Sequence, residues 1–555
     1  MSTDRLIYLP LGGAGEIGMN AYVYGYGPRD KERLIVVDLG VTFPDMDSTP
    51  GVDLIFPDIS WLEVRRNQIE AIFITHGHED HVGAVGHLWE KLGVPIYARA
   101  FTAHLARYKL AEYGLPETVV RSSSAWPQKI TVGPFEVSFV PVSHSIPESS
   151  ALLITTPGGR LIHTGDFKLD KSPIVGEPFD EALWKDVAKD GVKALICDST
   201  NVFSQHEGRS EASLGRDIEA LVKRAPHMVV ATTFASNLAR VKTLAEAGDR
   251  AGRSICLMGR AMRRMIEAAL ETNVLTDFPK TVSPEDASAI PRENLMLLVT
   301  GSQGERRAAS AQLAAGKFQG MELREGDLFL FSSKTIPGNE KGVIRIINQL
   351  SEKRVDVVDD SAGLYHVSGH ANCPDLSFMH RFVDPQMVIP MHGEHRHLRA
   401  HSKLALDNGK TSLVCVNGMM LDLTGNAPKV VENIETGRVY LDGKVQIGAY
   451  DGIVRDRIRM ALNGVVIINV VLDDGDDLLG EPWVETRGLA LQGVSNSSLE
   501  DILEEDLSQY LGRVGRKTLK DDDALETSLI KIARQSCQSE TGKRPEISVT
   551  ISRLM

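Results

Sequence analysis

Residues 76–81 read His76-Gly77-His78-Glu79-Asp80-His81 and follow directly on the apolar run Ala71-Ile72-Phe73-Ile74-Thr75. A strand ending there sends alternate side chains to opposite faces, so His76 and His78 share a side. The chain then turns into a helix carrying Asp80 and His81 at its start. Imidazole and carboxylate are first-choice ligands for zinc and its neighbours in the series. One ion does not draw four ligands from so short a loop, so the spacing predicts two adjacent metals.

Further ligand types fall at the ends of later strand-like runs. Phe135–Val142 alternates and stops at Ser143-His144-Ser145; Gly159–Gly165 ends in Asp166; Met387–Met391 ends in His392-Gly393-Glu394-His395. Residues just past the carboxyl ends of strands are where α/β sheets place their chemistry. Taken singly, His144 or His392 reads as an ordinary structural histidine. Taken as an ordered set, His76, His78 and His144 are expected on one metal, Asp80, His81 and His392 on the other, and Asp166 between them.

A competing motif is excluded on local grounds. Gly13-Ala14-Gly15-Glu16-Ile17-Gly18 satisfies the dinucleotide pattern GxGxxG, with Asp38 twenty residues on. Such a site needs a helix starting at those glycines, so that its N-terminus meets a pyrophosphate. The residues that follow, Asn20-Ala21-Tyr22-Val23-Tyr24-Gly25, alternate and favour strand. A hairpin is expected instead.

Composition narrows the class. A chain of 555 residues is long enough for two to four domains with a substantial core. It shows no N-terminal signal pattern and no apolar run of membrane-spanning length. The five cysteines (Cys197, Cys256, Cys373, Cys415, Cys537) are scattered, odd in number and without a CxxC pair. That usage fits a reducing, cytoplasmic setting and argues against disulfides or thiolate zinc. The net charge of −13 does not exclude a nucleic-acid enzyme, because a local basic channel outweighs the total. Arg260, Arg263, Arg264, Arg306, Arg307, Lys334 and Arg396 are candidates for such a channel, although each alone reads as a solvated charge.

The HxHxDH pattern followed by His144, Asp166 and His392 resembles the metallo-β-lactamase fold in its nucleic-acid-processing β-CASP branch. Leu195-Ile196-Cys197-Asp198-Ser199-Thr200-Asn201 matches that branch's first extra motif. His366-Val367-Ser368-Gly369-His370-Ala371 matches the second, and His392 the third. Within the branch the chain resembles the bacterial ribonuclease J family from Gly12-Gly13 to the C-terminal segment. The segment 366–371 and the stretch 331–340 are more specific than the metal motif, which many hydrolases share.

The resemblance implies an α/β fold: a metallo-β-lactamase αββα sandwich interrupted by a β-CASP α/β insert, plus a small α+β C-terminal domain. The expected division is core at 1–208, insert at 209–362, core again at 363–423, a linker at 424–452 and the C-terminal domain at 453–555. Helical spacing of Val82, Val85, Leu88, Trp89 and Leu92 predicts a core-facing helix after the metal motif. Alternating helices and strands from Leu214 to Thr300 predict a parallel insert. The C-terminal segment predicts a helix near Ile453–Leu462, a strand at Val465–Leu472, charged helices around Leu499–Tyr510 and Leu525–Ala533, and a last strand at Ile547–Ile551.

The same resemblance implies a metal-dependent ribonuclease. It would act as a 5′→3′ exonuclease favouring 5′-monophosphate ends, with added endonuclease activity, in mRNA decay and rRNA maturation. Two zinc ions per subunit are implied, with manganese or magnesium as alternatives in activity. Asp38 would orient metal ligands through hydrogen bonds. His370 would donate a proton to the leaving ribose oxygen, with Asp198 fixing its tautomer. His366, Val367, Ser368 and Gly369 would grip substrate beside it, and Ser302, Ser332 and Ser333 are candidates for a phosphate pocket. A structural calcium near Asp53 and Asp442 is a further expectation. Partners implied are single-stranded RNA, a second or fourth copy of the chain through the C-terminal domain, and an RNA-degradation complex, with no membrane. The rivals are a DNA-directed β-CASP nuclease, a small-molecule metallohydrolase and a non-catalytic RNA-binding scaffold. An intact ligand set speaks against the scaffold, and the insert against a small substrate.

Overall fold

The computed structural model describes residues 4–336 and 338–554; Pro337, within the stretch 331–340, lies outside the described residues. The chain forms two compact units, one of residues up to Thr42 with Phe56–Arg438, the other of Phe43–Ile55 with the chain from Val439 onward.

Two sheets face each other in the first unit. The eight-stranded sheet runs Lys429–Asn433, Met419–Asp422, Arg5–Gly12, Ala21–Gly27, Arg33–Val37, Ile69–Phe73, Ile96–Ala98, Val120–Ser122. The seven-stranded sheet runs Thr411–Ser412, Met387–Met391, Ala194–Asp198, Gly159–His163, Ser150–Thr156, Phe135–Pro141, Ile130–Val132. Tyr24, Ile35 and Phe73 meet Phe139, Leu152, Ile196 and Ile389 between them, all buried. The second sheet is covered outside as well, where Leu195 and Val388 pack with Trp184, Leu376 and Met379. Burial on both faces explains why Ala194–Cys197 is an unbroken apolar run rather than an alternating one.

Strand direction positions the site. Gly159–His163, Ala194–Asp198 and Met387–Met391 lie side by side and parallel. Asp198 at the end of one strand and Asp166 and His392 just beyond the others therefore emerge at one edge. Arg33–Val37 and Ile69–Phe73 are likewise parallel, which brings Asp38 and His76 out together. Ala21–Gly27 is a strand pairing antiparallel with Arg5–Gly12, so the early glycines open a hairpin and not a nucleotide-binding helix.

The insert is a six-stranded sheet in the order Thr281–Val282, Ser254–Met258, Leu295–Val299, Val229–Thr232, Leu328–Phe331, Asp356–Val358. Every pairing in it is parallel, as the alternating pattern predicted. Its entry and exit are clamped by Arg240, on the helix Leu238–Arg250. That guanidinium is fully buried. It donates to Glu211 Oε2 (2.9 Å) in the incoming chain, to the Ser332 carbonyl (2.6 Å) and to the Tyr365 and Val367 carbonyls (3.4 Å each) in the outgoing chain.

The segment 424–452, expected as a linker, is instead structured. Lys429–Asn433 adds an edge strand to the first sheet against Met419–Asp422, and Arg438–Asp442 pairs antiparallel with Val445–Gly448. These strands are short and half-polar because an edge buries little, so their sequence lacks the apolar signal of the central strands.

In the second unit Val465–Leu472 lies between Trp483–Arg487 and Glu546–Arg553. The helices Leu499–Leu511 and Asp522–Thr541 bury Leu503, Leu507, Leu525 and Leu529 against it.

Removing one partner of a buried, hydrogen-bonded ion pair leaves the other charge uncompensated. Arg240→Met is therefore expected to destabilise the first unit by about 3–5 kcal/mol, seen as an earlier urea transition by tryptophan fluorescence. An unchanged midpoint contradicts the clamp.

Candidate metal centre

The loop that follows Ile69–Phe73 delivers His76 and His78, and the short helix Glu79–Val82 then presents Asp80 and His81. Gly40 lies against this turn so closely that a Cβ on it would sit 1.6 Å from the Asp80 carbonyl oxygen, so only glycine fits. Asp38 and His392 both hold positive φ, 64° and 49°. Such backbone is costly for residues with a side chain and persists where surrounding contacts impose it.

Two groups of ligand-type side chains result. His76, His78, His144 and Asp166 form one, Asp80, His81, Asp166 and His392 the other, with the ligand atoms in each group all within 4.8 Å of one another. Asp166 belongs to both. Its Oδ2 stands 3.8 Å from His76 Nε2, 3.7 Å from His144 Nε2, 3.3 Å from His81 Nε2 and 3.4 Å from His392 Nε2. His78 Nδ1 lies 3.2 Å from His76 Nε2 and 3.1 Å from His144 Nε2.

The outward-facing ring nitrogens are already occupied. His144 Nδ1 donates to the Gly369 carbonyl (2.6 Å), His392 Nδ1 to Asn20 Oδ1 (2.8 Å) and His81 Nδ1 to Asp38 Oδ2 (2.7 Å). His76 Nδ1 reaches Thr75 Oγ1 at 3.0 Å, and that hydroxyl donates to Asp38 Oδ2 at 2.9 Å. With the far nitrogen protonated, each near nitrogen presents a lone pair inward, the tautomer a metal requires.

Electrostatics point the same way. Burial pushes His76 and His144 well below the usual imidazole range and His78 down to about 4, so these three rings are neutral. At His81 burial is outweighed by the carboxylates of Asp166, Asp80 and Asp38, which pull its pKa up. Against the penalty of burial, His392 and His81 hold the Asp166 carboxyl well below the carboxylate range. Among the described residues, the buried Asp166 Oδ1 has no hydrogen-bond partner. Converging lone pairs, clustered carboxylates and an orphaned carboxylate oxygen fit bound cations, and the nitrogen–oxygen donor set suits zinc.

Beside this cluster, His370 Nδ1 lies 2.7 Å from Asp198 Oδ2 and 4.0 Å from Asp166 Oδ2. Burial disfavours the charged ring, but Asp198 overrides it and lifts His370 to about 9. Asp198 is itself fixed by the Thr200 amide, which donates to Oδ1 (2.8 Å). A cleft opens next to His370, lined by Lys168, Arg209, Lys334, His366, Val367 and Ser368 among others. Burial holds His366 down to about 3, and Ser368 Oγ accepts from the His370 amide (3.1 Å).

Other expected residues are placed differently. Ser302, Ser332 and Ser333 are buried and do not line that cleft. The Ser332 hydroxyl is taken up by the Tyr365 carbonyl (2.6 Å), whereas Ser333 Oγ is buried without a partner among the described residues. Asp442 is paired with Arg457 (2.7 Å) and Asp53 accepts from the Gly443 amide (2.8 Å). A guanidinium already neutralises Asp442, and neither acid belongs to any group of three or more ligand types among the described residues.

Sequence reasoning missed Asn20, which it read only as part of a hairpin. Asn20 Oδ1 accepts from His392 and from the Tyr22 hydroxyl (2.7 Å), and Asn20 Nδ2 donates to the Asp80 carbonyl (3.0 Å). The one available signal was a polar residue, Asn20, opening an otherwise apolar strand.

A double-sheet core with histidines and aspartates at its strand ends, broken by a parallel insert, defines a metallo-β-lactamase fold with a β-CASP domain. Family models agree: metallo-beta-lactamase superfamily at residues 15–203, ribonuclease J beta-CASP domain at 226–350, Zn-dependent metallo-hydrolase RNA specificity domain at 362–415, and ribonuclease J C-terminal domain at 452–554. The chain belongs to the ribonuclease J family. It is 38% identical to Ribonuclease J of Sinorhizobium meliloti over 99% of this chain and 98% of that one. Ribonuclease J 1 of Streptococcus pyogenes is 32% identical over 97% and 96%, and Ribonuclease J of Corynebacterium glutamicum 36% over 86% and 67%. A crystal structure of a protein of unknown function from Enterococcus faecalis V583 shares the fold. Its TM-score is 0.52 at 17% identity, covering 75% of this chain and all of that one.

Residues that orient metal ligands typically contribute about 10- to 100-fold to metal affinity. Asn20→Ala is expected to weaken metal binding by that order in a chelator competition, with the circular dichroism spectrum retained. Unchanged affinity contradicts the role of Asn20.

Proposed function

We propose that this protein is a metal-dependent ribonuclease that hydrolyses RNA phosphodiesters from 5′-monophosphate ends, 5′→3′, with internal cleavage as a second activity. The observation that carries this reading is the Asp198–His370 pair, 2.7 Å apart, standing between the metal centre and a cleft whose lining includes Arg209 and Lys334 as well as Asp170 and Glu207. The names of the relatives and the RNA specificity model at residues 362–415 support RNA as the polymer. A family role in mRNA decay and rRNA maturation follows from the same reading, as does assembly into dimers or tetramers.

His76, His78 and His144 would hold one zinc, Asp80, His81 and His392 the other, with Asp166 shared. Divalent cations bound there would supply Lewis acidity for activating water and for drawing charge from the phosphodiester. The remaining roles belong to the protein. Asp198 fixes the ring of His370 and favours its protonated form, leaving Nε2–H free to donate to the departing ribose 3′-oxygen. That alkoxide is a poor leaving group, so the proton matters most there. Arg209 and Lys334 neutralise neighbouring phosphates, while His366, kept neutral by burial, and Ser368 offer hydrogen bonds. The products carry a 5′-phosphate and a 3′-hydroxyl.

The direct test uses 3′-labelled single-stranded RNA with a 5′-monophosphate, alongside 5′-triphosphate RNA and matching DNA, in zinc, manganese and magnesium. Stepwise shortening from the 5′ end, strongest for the monophosphate and absent for DNA, is expected. Absence of RNA cleavage with every metal overturns the reading. His370→Ala is expected to lower kcat on RNA by about 10²- to 10⁴-fold, the usual weight of a general acid. The loss should shrink on bis(p-nitrophenyl) phosphate, whose leaving group needs no proton; equal losses on both substrates contradict the assignment.

A further inference from the structure

Phe203 closes the short loop that leaves the strand Ala194–Asp198. Thr200 ties this loop to the metal centre, its hydroxyl donating to the His392 carbonyl (3.1 Å) and its amide to Asp198 (2.8 Å). The neighbouring Val202 is buried, so the loop is anchored and not loose. Phe203 nevertheless stays 51% exposed. An apolar ring left in water at an anchored position makes no gain in the free protein.

Its surroundings are those of a stacking site. The Arg396 guanidinium carbon lies 5.7 Å from the ring centroid, and the His397 ring is tilted against it at 5.1 Å. Arg396 is steadied by Glu394 (Nε to Oε2, 2.7 Å). His397 is buried, and its Nδ1 has no hydrogen-bond partner among the described residues. Arg396 and His397 stand in the first turn of the helix His395–Asp407, which starts three residues after His392. A phenyl face beside a guanidinium is what unpaired nucleobases stack on, with little regard to sequence because every base has a π face. The guanidinium adds cation–π attraction.

Resting on the ribonuclease reading, we propose that Phe203 and Arg396 form a nucleobase-stacking platform at the lip of the metal centre. It would bind the base of a nucleotide next to the scissile phosphate, adding affinity without reading sequence.

The test compares full-length, metal-loaded wild type with Phe203→Ala, Phe203→Leu and Phe203→Trp on 5′-monophosphorylated single-stranded RNA. Because the ring is half in water, none of these changes opens a core cavity. Phe203→Ala and Phe203→Leu are expected to raise KM roughly 5- to 100-fold with kcat held, the span of aromatic–base stacking, and Phe203→Trp to restore KM. A series of RNAs, each with one abasic nucleotide, then locates the base. At one position the wild type should lose as much as Phe203→Ala does, and Phe203→Ala should lose nothing more. An unchanged KM for Phe203→Ala, a fully active Phe203→Leu, or a fall in kcat without a change in KM each overturns the platform. Failure of the platform leaves wild-type RNA cleavage intact; failure of the ribonuclease reading abolishes it in the wild type and takes the platform with it.

Discussion

Asp166 is a buried carboxylate with one oxygen unpartnered and the other within 3.8 Å of four imidazole nitrogens. A charge so placed persists only where positive charge answers it. His76 and His144, held neutral by burial, add no positive charge, and the cluster of ligand atoms around Asp166 fits bound cations. Much of the surrounding structure serves this demand. Parallel strands bring the ligands to one edge, Gly40 lets the Asp80 turn approach, and four oxygen acceptors fix the outward nitrogens of the histidines. Those acceptors come from distant segments: Asn20 meets His392 across 372 positions of sequence, and Gly369 meets His144 across 225. The centre thus forms only when the whole first unit has folded.

The insert is coupled to this centre through a second buried charge. Arg240 binds Glu211 on the way in, the Ser332 carbonyl within the insert and two carbonyls on the way out, which fixes the path of Tyr365–Val367. The chain continues from there through Ser368 and Gly369 to His370. The same few residues therefore supply a cleft wall, the acceptor for His144 and the partner of Asp198. Geometry of the insert and geometry of the metal cluster are one problem, solved by one short segment.

Much of the fold was legible because burial writes itself into sequence. Ala71–Thr75, Ala194–Cys197 and Met387–Met391 are apolar runs ending in histidine or aspartate, and each is a central strand or the end of one. The parallel insert was legible for the same reason. The strands Lys429–Asn433 and Trp483–Arg487 were not, because edge strands mix exposed polar residues with few buried ones. That His76, His78, Asp80, His81, His144, Asp166 and His392 converge could be anticipated from strand ends alone. The supporting atoms could not. A backbone carbonyl such as that of Gly369 carries no residue signature, and Asn20 looked like any polar residue opening a strand. Ser332 misled in the opposite direction, since a serine held by Arg240 and Tyr365 reads in sequence like one free to hold a phosphate.

We propose that Asp166 sits between two cations. Diffraction from crystals grown with zinc, recorded on both sides of the zinc absorption edge, tests it most directly. Two anomalous peaks per chain are expected, one among His76, His78 and His144, the other among Asp80, His81 and His392, with Asp166 between them. A single peak, or zinc bound only elsewhere in the chain, would contradict it.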